Sequence, residues 1–112
     1  MSGERDVTPE QVEALRRDED AQLVDVREDY EWEAGRIEGA RHVALGEVAA
    51  QASTIDQARP VVFYCRVGAR SAMAADAFRR AGYEAYSLDG GLEAWAGDGR
   101  PLDPADGSVA NH

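Results

Sequence analysis

Behind Pro60 the chain runs through Val61-Val62-Phe63-Tyr64, apolar without alternation, and then reaches its single cysteine, Cys65. An unbroken apolar run of this length reads as a strand covered on both faces, the kind found at the centre of a parallel sheet. Such a strand needs helices on either side. The segment from Ser71 to Ala81 is strongly helical, with Met73, Ala77 and Phe78 expected to face the sheet and Gly82 closing it. A strand that runs into a loop and then a helix sets Cys65 at a carboxyl end, the side on which open α/β sheets bind ligands.

The alternation continues along the chain. Thr8-Pro9-Glu10-Gln11 combines a capping threonine, a first-turn proline and a glutamine at the third position, which predicts a helix to about Arg17. Ala21 to Val26 reads as a strand, and Asp29 to Gly35 as a short helix carrying Tyr30 and Trp32. A brief strand around His42 and Val43, a helix of small residues from about Glu47 to Ala52, a strand over Ala85 to Leu88 and a helical Leu92 to Trp95 complete the pattern. Strands alternating with helices predict an α/β fold, a central mainly parallel sheet flanked by helices. The folded unit is expected over 8–97, with a flexible amino terminus over 1–7 and a flexible tail over 98–112, rich in Gly, Pro, Asp and Ala.

Composition narrows the function. The 112 residues suit one domain able to bury a core without disulfides. There is no apolar run of roughly 18 residues, and charges are spread through the opening positions, so neither a membrane helix nor a signal peptide is expected. The expectation is a soluble cytoplasmic protein, a monomer or weak dimer. A formal net charge of -10 argues against nucleic acid and anionic membranes and suits a basic partner surface better. All 12 basic side chains are arginine, which removes Schiff-base lysine chemistry and a phosphate-loop lysine. A lone cysteine rules out an internal disulfide and metal sites built on CxxC pairs, and no metal or cofactor is expected.

Cys65 has two readings, a small core hydrophobe at a strand end or a nucleophile. Its setting favours the second. Arg66-Val67-Gly68-Ala69-Arg70 is an arginine-rich loop containing glycine, and Ser71 opens the helix. Backbone amides in such a loop, leading into a helix amino terminus, cradle negative charge. They would lower a thiol from its ordinary value near ~8.5 and then hold a persulfide anion. Arg66 and Arg70 offer planar donor forks to an anionic sulfur donor such as thiosulfate, so that local charge opposes the global field. Sulfite is a good leaving group, and no general base is required. The histidines are poor candidates in any case: His112 ends the chain, and His42 pairs with the cysteine only if the fold brings it to the loop. Asp25 and Arg27 are expected to hold the first strand's end by capping and ion pairing, and Gly90-Gly91 to form a turn on the same rim. Trp32 and Trp95 are expected to pack rather than bind.

Four segments, in order, resemble the rhodanese family. They are Leu23-Val24-Asp25-Val26-Arg27-Glu28, Gly35-Arg36-Ile37-Glu38-Gly39-Ala40, Cys65-Arg66-Val67-Gly68-Ala69-Arg70-Ser71 and Leu88-Asp89-Gly90-Gly91-Leu92-Glu93-Ala94-Trp95. The first two are weak alone, but all four at these spacings are specific and span nearly the whole expected domain. The resemblance implies a rhodanese-like fold and sulfurtransferase activity, with thiosulfate as the usual laboratory donor and cyanide or a thiol as acceptor. By position, Cys65 is similar to the family's persulfide-forming nucleophile, and Arg66 to Arg70 with Ser71 to its cradle. Arg70 fills a place where members vary between basic and small polar residues, and Arg36 stands where the family often has histidine. The chain has room for one such unit. Without a second cysteine the persulfide needs an external acceptor: cyanide, glutathione, thioredoxin or a partner cysteine. Two alternatives remain open. One is a non-catalytic carrier or regulatory module serving one protein partner; the other is a cysteine phosphatase or arsenate reductase, which needs arginine where Ser71 stands.

Overall fold

The unbroken apolar run does form the middle of the sheet. The computed structural model describes residues 6–111. Its strands are β1 (Asp6–Val7), β2 (Gln22–Asp25), β3 (Arg41–His42), β4 (Val61–Tyr64) and β5 (Ala85–Leu88), all parallel, in the order β1-β5-β4-β2-β3. The helices are α1 (Pro9–Glu19), α2 (Asp29–Ala34), α3 (Ala69–Arg80) and α4 (Gly91–Gly97). Every residue of β4 is buried, and its side chains alternate between two cores. Val61, Phe63 and Cys65 join Val24, Val26, Ala74, Ala75 and Phe78 on the α3 side. Val62 and Tyr64 join Val12, Leu23, Leu88, Leu92 and Trp95 on the side of α1 and α4.

Local chemistry explains the start of α1. Thr8 and Gln11 form the reciprocal cap of α1, Thr8 Oγ1 accepting the Gln11 amide at 3.2 Å and Gln11 Oε1 the Thr8 amide at 2.9 Å. Helix α3 starts at Ala69 and meets the sheet through Ser71, Ala74, Ala75 and Phe78, the spacing of three and four residues that keeps side chains on one helix face. Met73 and Ala77 fall off that stripe and face solvent, against the expectation that they line the sheet.

Three segments differ from the sequence reading. In place of a helix over 47–52 there are two 3-10 turns, Leu45–Glu47 and Ala52–Thr54. Side chains from elsewhere take the carbonyls here: Tyr83 Oη donates to Ala52 O and Arg41 Nη1 to Thr54 O. A short segment held by outside partners gains little from propagating a regular helix. Secondly, Asp6 and Val7, expected outside the folded unit, pair with Ser87 and Leu88 as an edge strand; the expectation for residues 1–5 lies outside the described residues.

Thirdly, the segment beyond Gly97, expected to trail as a flexible tail, is laid back on the domain. Arg36 and Asp103 exchange backbone hydrogen bonds of 3.0 and 2.7 Å, the Ser108 amide donates to Ala34 O at 2.8 Å, and Trp95 Nε1 donates to Pro101 O at 3.0 Å. Leu102 and Val109 pack against the α1/α4 core. The approach is close enough that a Cβ on Gly35 would lie 2.5 Å from Ser108 O. Composition suggested a linker because it does not register which surface the segment can cover.

Candidate active site

Strand β4 ends in Tyr64 and hands the chain to Cys65, which is buried at 1% exposure on the α3 side. The next residues turn back on its sulfur. Gly68, at a φ of 117°, aims its amide at Cys65 Sγ at 3.1 Å, a backbone conformation that favours glycine. Ser71, in the first turn of α3, brings its amide and its hydroxyl each to 3.5 Å from the sulfur. Burial pushes the Cys65 thiol up, but the Ser71 hydroxyl and the amides of Ser71, Gly68 and Val67 outweigh it and hold the thiol below its ordinary range. The thiolate is the form this loop is built around.

Helix α4 supports the loop from below. The amides of Leu92 and Glu93 donate to the carbonyls of Cys65 and Arg66 at 2.8 and 3.1 Å. Gly91 must be glycine for two reasons: its φ is 61°, and a Cβ would overlap the Cys65 and Arg66 carbonyls. The Gly90-Gly91 pair is thus a turn pressed against the underside of the cysteine loop.

The arginines are not open forks. Arg70 donates to both carboxylate oxygens of Glu31 at 2.8 and 3.0 Å, and Arg66 Nη2 meets Glu93 at 2.7 Å. Glu31, from α2, is fully buried, and its Oε1 also accepts the Glu28 amide at 2.9 Å. Beside it, Asp25 at the end of β2 and Arg27 just beyond are both fully excluded from solvent in a bidentate pair, with Arg27 Nη2 at 2.7 Å from Asp25 Oδ2 and also 2.7 Å from Gly35 O. This pair ties the end of β2 to the end of α2.

The fold does not bring His42 to the sulfur. His42 Nε2 lies 2.7 Å from Arg27 O, an acceptor, so that nitrogen carries a proton, and the ring stacks on Trp32 at 5.0 Å. Arg36 lies over the other part of this cluster, 4.9 Å from the Trp32 ring centre, with Nη1 donating to Trp32 O. His112 lies outside the described residues. Two residues that the sequence reading missed are Glu31 and Ser87. Glu31 had one signal, its place three residues after Glu28 at a helix start. Ser87 had another, a small hydroxyl inside the apolar strand Ala85–Leu88.

A family model describing the rhodanese-like domain matches residues 8–98. The chain belongs to this family. Thiosulfate sulfurtransferase GlpE of Pseudomonas aeruginosa is 40% identical over 103 residues, 91% of this chain and 89% of that protein. Among solved structures, a rhodanese-related protein from Thermoplasma volcanium matches with a TM-score of 0.81 at 21% identity, covering 88% of this chain and 96% of the other. A rhodanese-like domain protein from Staphylococcus aureus gives 0.74 at 25% identity, covering 81% and 90%. The rhodanese-like fold and a place among sulfurtransferase relatives are therefore established for this domain. None of its described helices is long and apolar enough to cross a membrane.

Proposed function

We propose that this rhodanese-like domain transfers sulfane sulfur through a persulfide on Cys65, taking it from thiosulfate or another persulfide donor. The observation that carries the reading is the sulfur itself, placed at the floor of a loop whose amide and hydroxyl donors favour its anion. The thiolate attacks the outer sulfur of thiosulfate, the S–S bond breaks, and sulfite leaves with the bonding pair. No proton moves, so the step needs no general base. The persulfide anion then gives its terminal sulfur to cyanide or a thiolate, and Cys65 departs as the thiolate that the loop stabilises. Mass spectrometry of the intact protein tests this. Thiosulfate should add one sulfur atom, cyanide should remove it, and Cys65→Ser should take up none while remaining folded. A Cys65→Ser protein that still turns over thiosulfate, or a wild-type protein that releases phosphate from aryl phosphates without gaining sulfur, overturns the proposal.

A second reading, delivery to one protein partner, has an observation of its own. Among the described residues, the large apolar side chains that stand exposed are Tyr30, Val67 and Met73. Val67 is in the cysteine loop, Met73 is one turn beyond Arg70 on α3, and Tyr30 precedes the Glu31 that binds Arg70. Exposed apolar side chains on the loop and on the two helices that flank it suit a protein-borne thiol better than a small solvated one.

A further inference from the structure

Ser87 is a hydroxyl in an apolar layer. It lies on β5, in register with Phe63 of β4 and Asp6 of β1, and it shares the α3 face of its strand with Ala85. At 2% exposure it has no access to bulk water, and its hydrogen bond is to Ser71 Oγ at 2.7 Å. Ser71 Oγ in turn lies 3.2 Å from Gly68 O and 3.5 Å from Cys65 Sγ. Two hydroxyls thus bring two protons to a set of acceptors in which only Ser71 can reach the carbonyl or the sulfur. If Ser71 donated to Ser87, the Ser87 proton would be buried without an acceptor and the sulfur would lose a donor. The arrangement that satisfies every group runs the other way, from Ser87 to Ser71 and from Ser71 to Gly68 O or to the sulfur.

We propose that Ser87 is a positioning residue for the sulfur-transfer site, donating to Ser71 Oγ and so keeping the Ser71 proton for Gly68 O and, when the sulfur is anionic, for Cys65. A hydroxyl that accepts a hydrogen bond is also a stronger donor, so the chain Ser87–Ser71–Cys65 is cooperative. Its contribution is largest when the sulfur is anionic, as attacking thiolate and again as leaving thiolate when the persulfide is consumed. The inference rests on Cys65 being the sulfur carrier.

The test is the rate of Cys65 alkylation by iodoacetamide as a function of pH, in wild type, Ser87→Ala, Ser87→Thr, Ser71→Ala and the double alanine variant. Ser87→Ala should move the midpoint up by roughly half a unit, about threefold less thiolate at a pH below both midpoints. Ser87→Thr, which keeps a hydroxyl, should restore most of that shift. Because Ser87 acts through Ser71, the double variant should titrate like Ser71→Ala alone. An unmoved midpoint in Ser87→Ala, or a double variant in which the two shifts add, overturns the inference. Sulfur uptake from thiosulfate, read by intact mass on the same wild-type sample, separates this failure from that of the underlying reading. Normal uptake with an unmoved midpoint removes only the role of Ser87. A moved midpoint without uptake supports the hydrogen-bond chain and overturns Cys65 as carrier.

Discussion

Arg70→Ala removes the two charge-assisted hydrogen bonds that reach Glu31 at 2.8 and 3.0 Å. From the loop alone, this substitution is expected to weaken mainly the use of anionic donors. The structure gives it a second consequence, because Glu31 is fully buried and a buried carboxylate that loses its cation costs about 3–5 kcal/mol. Two features lower the figure here. Glu31 still accepts the Glu28 amide at 2.9 Å, and the Arg70 side chain is 17% exposed, so its removal opens a path for water. The resulting expectation is about 2–3 kcal/mol of lost stability, or roughly 1–2 M in the midpoint of urea unfolding for a small domain. Equilibrium unfolding at neutral pH measures it. Adding Glu31→Gln to Arg70→Ala removes the carboxylate charge that has lost its ion pair with Arg70 and should recover at least half of the loss, which a double-mutant cycle reads directly. A loss below about 0.5 kcal/mol, or no recovery in the double variant, refutes the buried-pair argument and returns Arg70 to the role of a free donor fork.

Gly91→Ala should cost about 2–4 kcal/mol, from a left-handed backbone and an overlap with two carbonyls, whereas Gly97→Ala, where a Cβ meets nothing within 4 Å, should be close to neutral. Thermal unfolding compares the pair, and similar losses in both would show that Gly91 is not pressed against the cysteine loop. Stability should also depend on pH through Cys65. Its native thiol is depressed, so the stabilising effect is complete above the unfolded value near ~8.5 and is lost as pH falls through the native value. Unfolding free energy should therefore rise with pH across that window in wild type and not in Cys65→Ser; equal slopes in the two proteins would contradict the depressed thiol.

Much of this arrangement was legible in the chain. The reciprocal cap at Thr8 and Gln11, the covered strand Val61–Tyr64, the turn at Gly90-Gly91 and the placing of Cys65 at a strand's end all depend on neighbours a few positions away, which is the range over which backbone hydrogen bonds and side-chain periodicity act. The cradle itself is local: Gly68 and Ser71 reach a sulfur three and six residues back. What tertiary structure decided was the partner of each polar side chain. Arg70 meets Glu31 across 39 positions and Ser71 meets Ser87 across 16 because α2 and β5 are packed beside the loop, not because of anything written next to them. The same holds for the segment after Gly97, whose Gly and Pro content describes a chain without regular structure but not the surface it covers. A hydrogen bond or an ion pair is satisfied by whatever lies within about 3 Å, and only the assembled sheet determines what that is.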